Sequence, residues 1–393
     1  MHSPTRIVNM YYLFVFIRGL RFLVPIWTLY LNDLGYDIFT ITVLDVIFFV
    51  TIAIAEIPTG TIADKVSRKL SLLIGVLLYI IGITVFVFAI NLWVLVFAYI
   101  IWAIGMTFWS GADQAFLYDS LKSSNREHEF QQIYGKAIFL DGAAMAFASI
   151  IGGFLASFSL RLPFLLTALA CLFSGLILLF IPEERPTDEL AKGKYAKHVL
   201  DTIQLIKNSR ILALLLVFSV IFAVMGVIEF VFRQLYLKGE LDVSIFVIGV
   251  LYALMMILGA LGAMNSFRLN KLLGDRLFLA FQVGIIGTCF FLFSIAILWV
   301  SVPFLLFYAY FGSVFYPFFT RLVNEEVPSE KRATAFSLAG VVITGSAFVF
   351  ELLAGYLATQ TSISFSYFIL SSFFFAVCIV PLILWIRTPL KGP

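Results

Sequence analysis

Twelve long apolar runs, separated by short turns, account for most of this 393-residue chain. A helix needs about 20 apolar residues to cross the hydrocarbon core of a bilayer, and each run reaches that length. Strands of a membrane barrel would alternate in polarity over about ten residues, and no such alternation occurs. The sequence therefore predicts an all-α membrane protein with twelve transmembrane helices. The runs are 8–31, 38–59, 70–90, 92–120, 131–157, 161–182, 210–237, 243–267, 276–298, 301–323, 333–359 and 364–387.

Composition excludes the common soluble classes of protein. Hydrophobic residues make up 62% of the chain and charged residues 12%, whereas soluble domains have about 45–50% and about 25%. The net charge of +3, without basic clusters interleaved with aromatic residues, argues against nucleic-acid binding. Cys171, Cys289 and Cys378 lie inside apolar runs, and no CxxC or Cys/His cluster indicates a metal site. We therefore expect neither a disulfide framework nor a cofactor.

Lysine and arginine are distributed unequally between alternate loops. With a cytoplasmic N-terminus, the outer loops hold only Arg161 and Lys238, and the inner loops hold a large excess of positive charge. The positive-inside rule then predicts that both termini are cytoplasmic. We expect a monomeric, multi-pass protein of the cell membrane, surrounded by the lipid bilayer.

The longest hydrophilic segment, residues 182–209, lies near the middle of the chain. It predicts two six-helix bundles, residues 1–181 and 210–393, joined by a cytoplasmic linker. GGFLAS at 152–157 and AGYLAT at 354–359 give the two halves a weak internal similarity. Duplicated halves with a substrate site near the bilayer midplane are a recurrent plan of secondary transporters.

The linker itself allows two interpretations. Val199, Ile203 and Ile206 recur at helical spacing, which is typical of an amphipathic helix lying on the inner membrane surface. A mobile charged linker accounts for the same segment equally well.

The turn between the second and third runs is unusually rich in charge for so apolar a chain. Glycine there is expected to end helix two and allow a tight turn. Asp64 is expected to accept hydrogen bonds at a nearby helix N-terminus. Arg68 and Lys69 are expected to pair with Asp119. The residues of this pattern are Gly60, Asp64, Lys65, Arg68 and Lys69.

This pattern, G-x-x-x-D-K-x-x-R-K, resembles the signature loop between helices two and three of the major facilitator superfamily. The resemblance implies two pseudo-symmetric six-helix bundles and transport of a small molecule. It also implies that the loop holds the two halves in one conformation and is released during transport. The simpler alternative is that these charges only anchor the turn at the cytoplasmic side.

Other parts of the chain match the superfamily unevenly. NEEVPSEKRATAFSL at 324–338 is similar to its loop between helices ten and eleven, whereas Ser67 stands where the signature usually has a second glycine. The arginine expected on span four of proton antiporters is Ile101, and the Gly-Pro pair of many exporters is Ala148-Ser149. These departures disfavour a standard drug/proton antiporter.

Several polar side chains of the N-terminal half fall inside the apolar runs. A charge at the centre of a membrane helix costs about 2.5–3.5 kcal/mol on insertion scales, so carboxylate partners for Arg18 and Arg21 are expected. At about 1.5 Å per residue, Arg18, Asp141 and Asp113 all lie near the midplane. With the neighbouring Gln114, these residues form either a closed structural network or a substrate and coupling site.

The C-terminal half has intramembrane charges of its own. Glu229 and Arg233 are four residues apart and predict an ion pair on one helix face. Asp45 and Glu351 lie at similar depth, in helices that flank the interface between halves in the superfamily. They are candidates for an outer gate, in which two carboxylates would need a shared proton or a cation.

Aromatic residues suggest a further part of the solute site. Tyr252 in span eight and Tyr308 in span ten lie among methionines and phenylalanines that could line a cavity for bulky apolar solutes. The alternative is that these side chains pack between helices or face lipid.

The predicted function is secondary active transport of a small organic solute by alternating access, with protons as a candidate coupling ion. ATP is excluded as the energy source because no GxxxxGK[ST] loop is present, and no catalytic or metal-spaced set of residues indicates an enzyme. The alternatives are an efflux pump for amphipathic drugs and a receptor or scaffold that transports nothing.

Overall fold

The computed structural model describes residues 4–65, 67–183 and 195–388, and within them all regular structure is helical. The predicted all-α fold is confirmed. The helices are α1 (Pro4–Gly19), α2 (Trp27–Asp33), α3 (Ile38–Lys65), α4 (Arg68–Val87), α5 (Leu92–Thr107), α6 (Ala112–Lys122), α7 (Phe130–Ala156), α8 (Leu162–Leu179), α9 (Tyr195–Asn208), α10 (Arg210–Leu235), α11 (Ile245–Phe293), α12 (Leu298–Gly312), α13 (Phe315–Glu326), α14 (Arg332–Gln360) and α15 (Ile363–Ile386).

Ten helical segments of the described residues are long and apolar enough to cross a membrane. One of them, α11, consists of two helices that meet at Gly274, where φ is 70°. The first predicted span corresponds to α1 and α2, each too short to be among the ten. The predicted number of twelve spans is consistent with this arrangement.

Many large apolar side chains lie on the protein surface. Phe139 and Phe180 are each 71% exposed, and Trp299 is 84% exposed. Exposed apolar surface of this extent would be unfavourable in water, but hydrocarbon solvates it. The distribution supports a membrane-embedded protein.

Polar residues define where several helices begin. The side chains of Asn91, Ser209 and Ser362 accept hydrogen bonds from backbone N–H groups of α5, α10 and α15, at 3.0, 3.3 and 3.0 Å. These N–H groups have no partner within their own helices, so capping satisfies them. The turns between apolar runs thus carry the residues that start the next helix.

The first span is interrupted, and the prediction of a continuous run over residues 8–31 is wrong in this respect. α1 ends at Gly19 and α2 begins only at Trp27. Pro25 lies in the gap, where its ring and missing N–H oppose continuation of the helix. Non-helical backbone at membrane depth is tolerated where it is buried in protein or lines a cavity.

The backbone of this gap is held by short local bonds and by its neighbours. The Arg21 N–H donates to the Gly19 carbonyl at 2.8 Å. The Leu23 N–H donates to the Thr167 hydroxyl of α8 at 3.3 Å. The gap is therefore a defined part of the fold, and neighbouring helices supply what the broken helix cannot.

Gly152 of α7 lies directly against the gap. A Cβ atom at this position would be 2.0 Å from the Phe22 carbonyl oxygen. We expect Gly152→Ala to destabilise the protein by about 1–3 kcal/mol, because either the helix or the gap must move. Gly142→Ala in the same helix is the matched control, since no described atom beyond its own stretch of helix lies within 4 Å of the added methyl group. Unfolding in detergent measures both variants, and equal stabilities would contradict this packing.

The fourth predicted span is also interrupted. α5 ends at Thr107, α6 begins at Ala112, and Gly111 between them has φ of 72°. This left-handed conformation strains residues with a side chain but not glycine. The interruption places Asp113 in the first turn of a new helix.

The chain forms two compact units. The first unit is Met1–Tyr36, Val43–Leu190 and Ser244–Ala253, and the second is Asp37–Thr42, Ala191–Val243 and Leu254–Pro393. In the first unit α4 packs against α5 and α8, and α1 packs against α7 and α8. In the second unit α10 packs against α14 and α15. The division at residues 182–209 stays a prediction.

Part of the predicted linker forms a helix. α9 covers Tyr195–Asn208 and packs against α10 and α14 of the second unit, with Thr202 buried. Residues 184–194 of the linker lie outside the described residues. The expected position of α9 on the inner membrane surface stays a prediction.

Candidate functional site

Arg18 and Asp113 form an ion pair in the first unit. The distance from Arg18 Nη1 to Asp113 Oδ2 is 2.7 Å, and the Tyr11 hydroxyl donates to Asp113 Oδ1 at 2.5 Å. The Arg18 guanidinium lies 5.2 Å from the ring centre of Phe14 and 5.6 Å from that of Trp109. Aromatic faces attract cations, so these rings stabilise the charge of Arg18 together with Asp113. The charge of Asp113 is compensated by Arg18 and by the Tyr11 hydrogen bond.

Local backbone structure favours the carboxylate at this position. Asp113 is in the first turn of α6, close to the positive end of the helix dipole. The sequence predicted Asp113 as a partner for an arginine but missed Tyr11. A tyrosine two helical turns before Arg18, on the same face of α1, was the available signal.

Arg21 and Asp141 form a second ion pair nearby. Arg21 Nη2 donates to Asp141 Oδ2 at 2.6 Å. The side chains are 28% and 27% exposed, about twice the 14% of Arg18 and of Asp113. Arg21 belongs to the gap between α1 and α2, whereas Asp141 lies in the middle of α7.

Gln114, next to Asp113, points to a different neighbour. Its side chain is exposed and lies close to Tyr134 of α7. The structure therefore brings Arg18, Arg21 and their two aspartates into one region and places Gln114 at its edge. Whether these residues bind a solute stays a prediction.

The second unit contains the other predicted pair. Arg233 donates from Nε to Glu229 Oε1 at 2.5 Å and from Nη2 to Glu229 Oε2. Glu229 is only 1% exposed. The Tyr308 ring packs edge-on against Phe290 and Phe293 of α11, so at least part of it serves helix packing.

Tyr252 is buried in the part of α11 that belongs to the first unit, whereas Tyr308 belongs to the second. Asp45 and Glu351 are likewise buried in different units. A common site for the tyrosines and an outer gate formed by the carboxylates stay predictions.

The charged turn after α3 is tied to neighbouring helices of the first unit. Arg68 forms an ion pair with Asp119 of α6. Lys69 instead donates from Nζ to the carbonyls of Leu179 and Ile181, at 2.8 and 2.7 Å. Arg68 thus takes the expected partner, and Lys69 binds the end of α8.

One expectation for this turn is wrong, and another concerns side chains outside the described residues. Gly60 does not end the helix, because α3 continues to Lys65 and glycine is tolerated inside membrane helices. The side chains of Asp64 and Lys65 lie outside the described residues.

The carboxylate of Glu183 lies at the N-terminus of α4, where the sequence predicts an anion. It accepts from the Ser67 hydroxyl at 2.6 Å and from the Lys69 N–H at 3.1 Å. Ser67 itself accepts from the Leu70 N–H at 2.9 Å. The sequence assigned Glu183 to the linker and missed this role. The available signal was its position just after span six, on the same side as the turn.

A related arrangement occurs in the second unit, after the kink in α11. Asp275 accepts from Arg321 of α13 at 2.5 Å and from Asn270 at 2.9 Å. Arg321 also donates to Glu325 at 2.9 Å. The sequence did not single out this pair. Within the described residues, no group of three or more His, Cys, Asp or Glu could hold a metal ion.

Comparisons with known proteins agree on one family. The sequence profile of the Major Facilitator Superfamily matches residues 10–351 and also 234–393. The uncharacterized MFS-type transporter YxaM of Bacillus subtilis (strain 168) is 24% identical, over 97% of this chain and 96% of that protein.

Solved structures with the same fold include several transporters. The crystal structure of the nucleoside transporter NupG has a TM-score of 0.81 at 14% identity, covering 99% of this chain and 100% of that one. A bacterial homologue of the human lysosomal transporter Spinster, in an inward-facing and unoccupied conformation, has a TM-score of 0.76 at 14% identity, with 98% of each chain covered. At these identities the likeness extends to the fold alone.

Proposed function

Because this chain belongs to the Major Facilitator Superfamily and is a membrane transporter, we propose that it carries a small organic solute by secondary active transport. In this proposal the two halves alternate between conformations that open to opposite sides of the membrane. The ion pair of Arg68 with Asp119 would hold the cytoplasmic turn in one of them. The chain would act without enzymatic chemistry or a cofactor.

The two ion pairs of the first unit carry this proposal. Ionisable residues within membrane spans are costly and commonly mark substrate or ion pathways. Here Arg21 and Asp113 lie at interruptions of two spans, as in transporters that bind substrates at discontinuous helices. These interruptions and charges favour transport over a receptor or scaffold.

Energy is proposed to come from a gradient of an ion or solute. Protons are the favoured coupling ion, because carboxylates such as Asp141 bind and release them. The excess of Lys and Arg in alternate loops supports a cell-membrane location with both termini in the cytoplasm. We propose a monomer as the working unit.

Efflux of amphipathic drugs is the less favoured form of transport. It would be supported by an adaptable aromatic surface, but the Tyr308 ring packs against Phe290 and Phe293 within its own unit. The antiporter arginine of span four is also replaced, by Ile101. The charged groups of the first unit favour a polar solute.

Transport by the purified full-length chain in liposomes tests the proposal. A thermal-shift screen of nucleosides, sugars, amino acids, dipeptides and organic acids first identifies stabilising solutes. We expect at least one radiolabelled solute from the screen to enter proteoliposomes faster than empty liposomes, and an imposed proton gradient to increase its accumulation. Binding without any flux would instead support the receptor alternative.

A further inference from the structure

The two ion pairs of the first unit have the same residue types but differ in how completely their charges are satisfied. Arg18 and Asp113 are each 14% exposed, and the carboxylate accepts on both oxygens, from Arg18 and from Tyr11. The rings of Phe14 and Trp109 contact the guanidinium. This pair is closed, and a solute could enter it only by displacing several protein groups.

The Arg21 pair has fewer hydrogen bonds and is more exposed, so we call it open. Among the described residues, Arg21 makes one side-chain hydrogen bond, from Nη2 to Asp141 Oδ2. Its Nε–H is buried and has no hydrogen-bond partner there. An unsatisfied buried donor on a charged group is costly, so a native structure that keeps one needs an explanation. More than a quarter of each side chain remains exposed.

The guanidinium geometry indicates which ligand would satisfy this donor. Arginine presents its N–H groups as a planar fork that matches the two oxygens of a carboxylate. Asp141 engages that fork at only one nitrogen. A carboxylate that was free to adjust could bind two, whereas Asp141 is fixed to the α7 backbone.

The surrounding backbone makes Arg21 a defined site. Its own segment is non-helical, and the close approach of α7 at Gly152 fixes this segment from one side. At Gly19, an added Cβ would lie 3.0 Å from the Asp141 carbonyl oxygen, so α1 and α7 also approach closely beside the pair. Preorganised charges of this kind bind ligands with little rearrangement of the scaffold.

We propose that Arg21 binds the carboxylate of a small organic acid, and that Asp141 occupies this position on the guanidinium when the solute is absent. The inference rests on the proposed transport function and names its substrate class. Arg18 and Asp113 serve as the rigid support of the site. Neutral solutes would lack the group that displaces Asp141.

Displacement of Asp141 links solute binding to a proton. When the solute carboxylate pairs with Arg21, the Asp141 carboxylate loses its partner and takes one proton from solution. The site then gains one anion and one proton, and its net charge is unchanged. The other charged or titratable groups around Asp141 are Arg18, Tyr79 and Tyr134, and Asp113 beyond Arg18. Of the two carboxylates, Asp113 keeps Arg18 and Tyr11 as partners when the solute binds, whereas Asp141 loses Arg21.

Matched acids and amides test the substrate class on the full-length protein in detergent. The probes are lactate with lactamide, benzoate with benzamide, nicotinate with nicotinamide, and N-acetyl amino acids with their amides. We expect thermal stabilisation by acids but not by their amides. Arg21→Gln should abolish it, and Arg21→Lys should weaken binding about tenfold or more, because the fork is lost.

Arg126→Gln is the control, because it removes an arginine from an ion pair with Glu129 that lies outside the site. It should bind the same acids as the unmodified protein. Equal stabilisation by amides, unchanged binding in Arg21→Lys, or stabilisation by none of the acids would overturn the inference. Arg21→Lys keeps the positive charge, so the test does not depend on whether Arg21→Gln folds.

The proton is tested by the pH dependence of binding between pH 6 and 8, where the acids stay ionised. We expect the dissociation constant to fall as pH falls, approaching tenfold per unit if one proton accompanies each anion. In Asp141→Asn this dependence should disappear, and the acids should bind more tightly at pH 8 because no carboxylate competes for Arg21. A dependence that persists in Asp141→Asn would overturn the role of Asp141.

The proposed function and this inference can fail separately. Flux of a neutral solute that Arg21→Gln leaves unchanged would overturn the anion site while transport stands. Binding of acids that depends on Arg21, without flux of any solute, would overturn transport while the site stands.

Discussion

Replacing Arg18 by alanine is expected to destabilise the protein by about 3–5 kcal/mol, because it leaves Asp113 in a largely buried position without its cation. Tyr11 would still donate one hydrogen bond to the carboxylate, but a neutral hydroxyl does not compensate a charge. The measurement is the shift of the unfolding midpoint in mixed micelles of increasing SDS content.

Two variants test the origin of this effect. The double variant Arg18→Met with Asp113→Leu removes both charges and should recover most of the lost stability. Without these ions, folding no longer has to remove charged groups from water. Arg126→Ala at the partly exposed pair with Glu129, whose residues are three apart in sequence, should change the stability by less than about 1 kcal/mol. If Arg18→Ala unfolds at the same SDS content as Arg126→Ala, the network of Arg18, Asp113 and Tyr11 does not stabilise the first unit.

Replacing Glu229 by alanine should have a similar effect in the second unit, again about 3–5 kcal/mol. Glu229 is almost fully buried and binds Arg233 through both carboxylate oxygens. Glu229→Ala leaves the guanidinium without this partner. Glu229→Gln keeps one acceptor oxygen in the same place and should lose less.

The same SDS titration measures both Glu229 variants. The expected order of midpoints is unmodified protein, then Glu229→Gln, then Glu229→Ala. An alanine variant as stable as the glutamine variant would show that the carboxylate of Glu229 does not hold Arg233 in the folded state.

Much of the fold followed from the sequence, because membrane helices obey a simple length and hydropathy rule. The need for carboxylates near Arg18 and Arg21 also followed, since unpaired arginines at that depth would be too costly. Which aspartate pairs with which arginine could not be derived. Depth along a helix is readable from the sequence, but rotation about the helix axis depends on packing.

The interruption of the first span was missed for a related reason. Gly19 and Pro25 both occur in membrane helices, where neighbouring helices can satisfy the freed backbone groups. Here the Thr167 hydroxyl does so for Leu23, a contact between residues far apart in sequence. Local sequence therefore indicated a continuous apolar span, and only the tertiary structure shows that Arg21 lies in a gap.

Errors at the charged turn had a different cause. Glycine favours helix ends in soluble proteins and so predicts one at Gly60, yet α3 continues to Lys65. The hydrophilic stretch after span six predicts that Glu183 belongs to the linker, although it accepts from the Ser67 hydroxyl. Glu183 therefore supplies an anion at the N-terminus of α4. The expectation for Asp64 concerns a side chain outside the described residues and stays a prediction.

Counterflow in proteoliposomes tests the central claim most directly. Vesicles loaded with an unlabelled organic acid that stabilises the protein are diluted into a trace of the same labelled acid, with no ion gradient. Alternating access through Arg21 predicts transient accumulation of label by the unmodified protein and by Arg126→Gln, but not by Arg21→Gln. Absence of accumulation by the unmodified protein, or equal accumulation by Arg21→Gln, would contradict it.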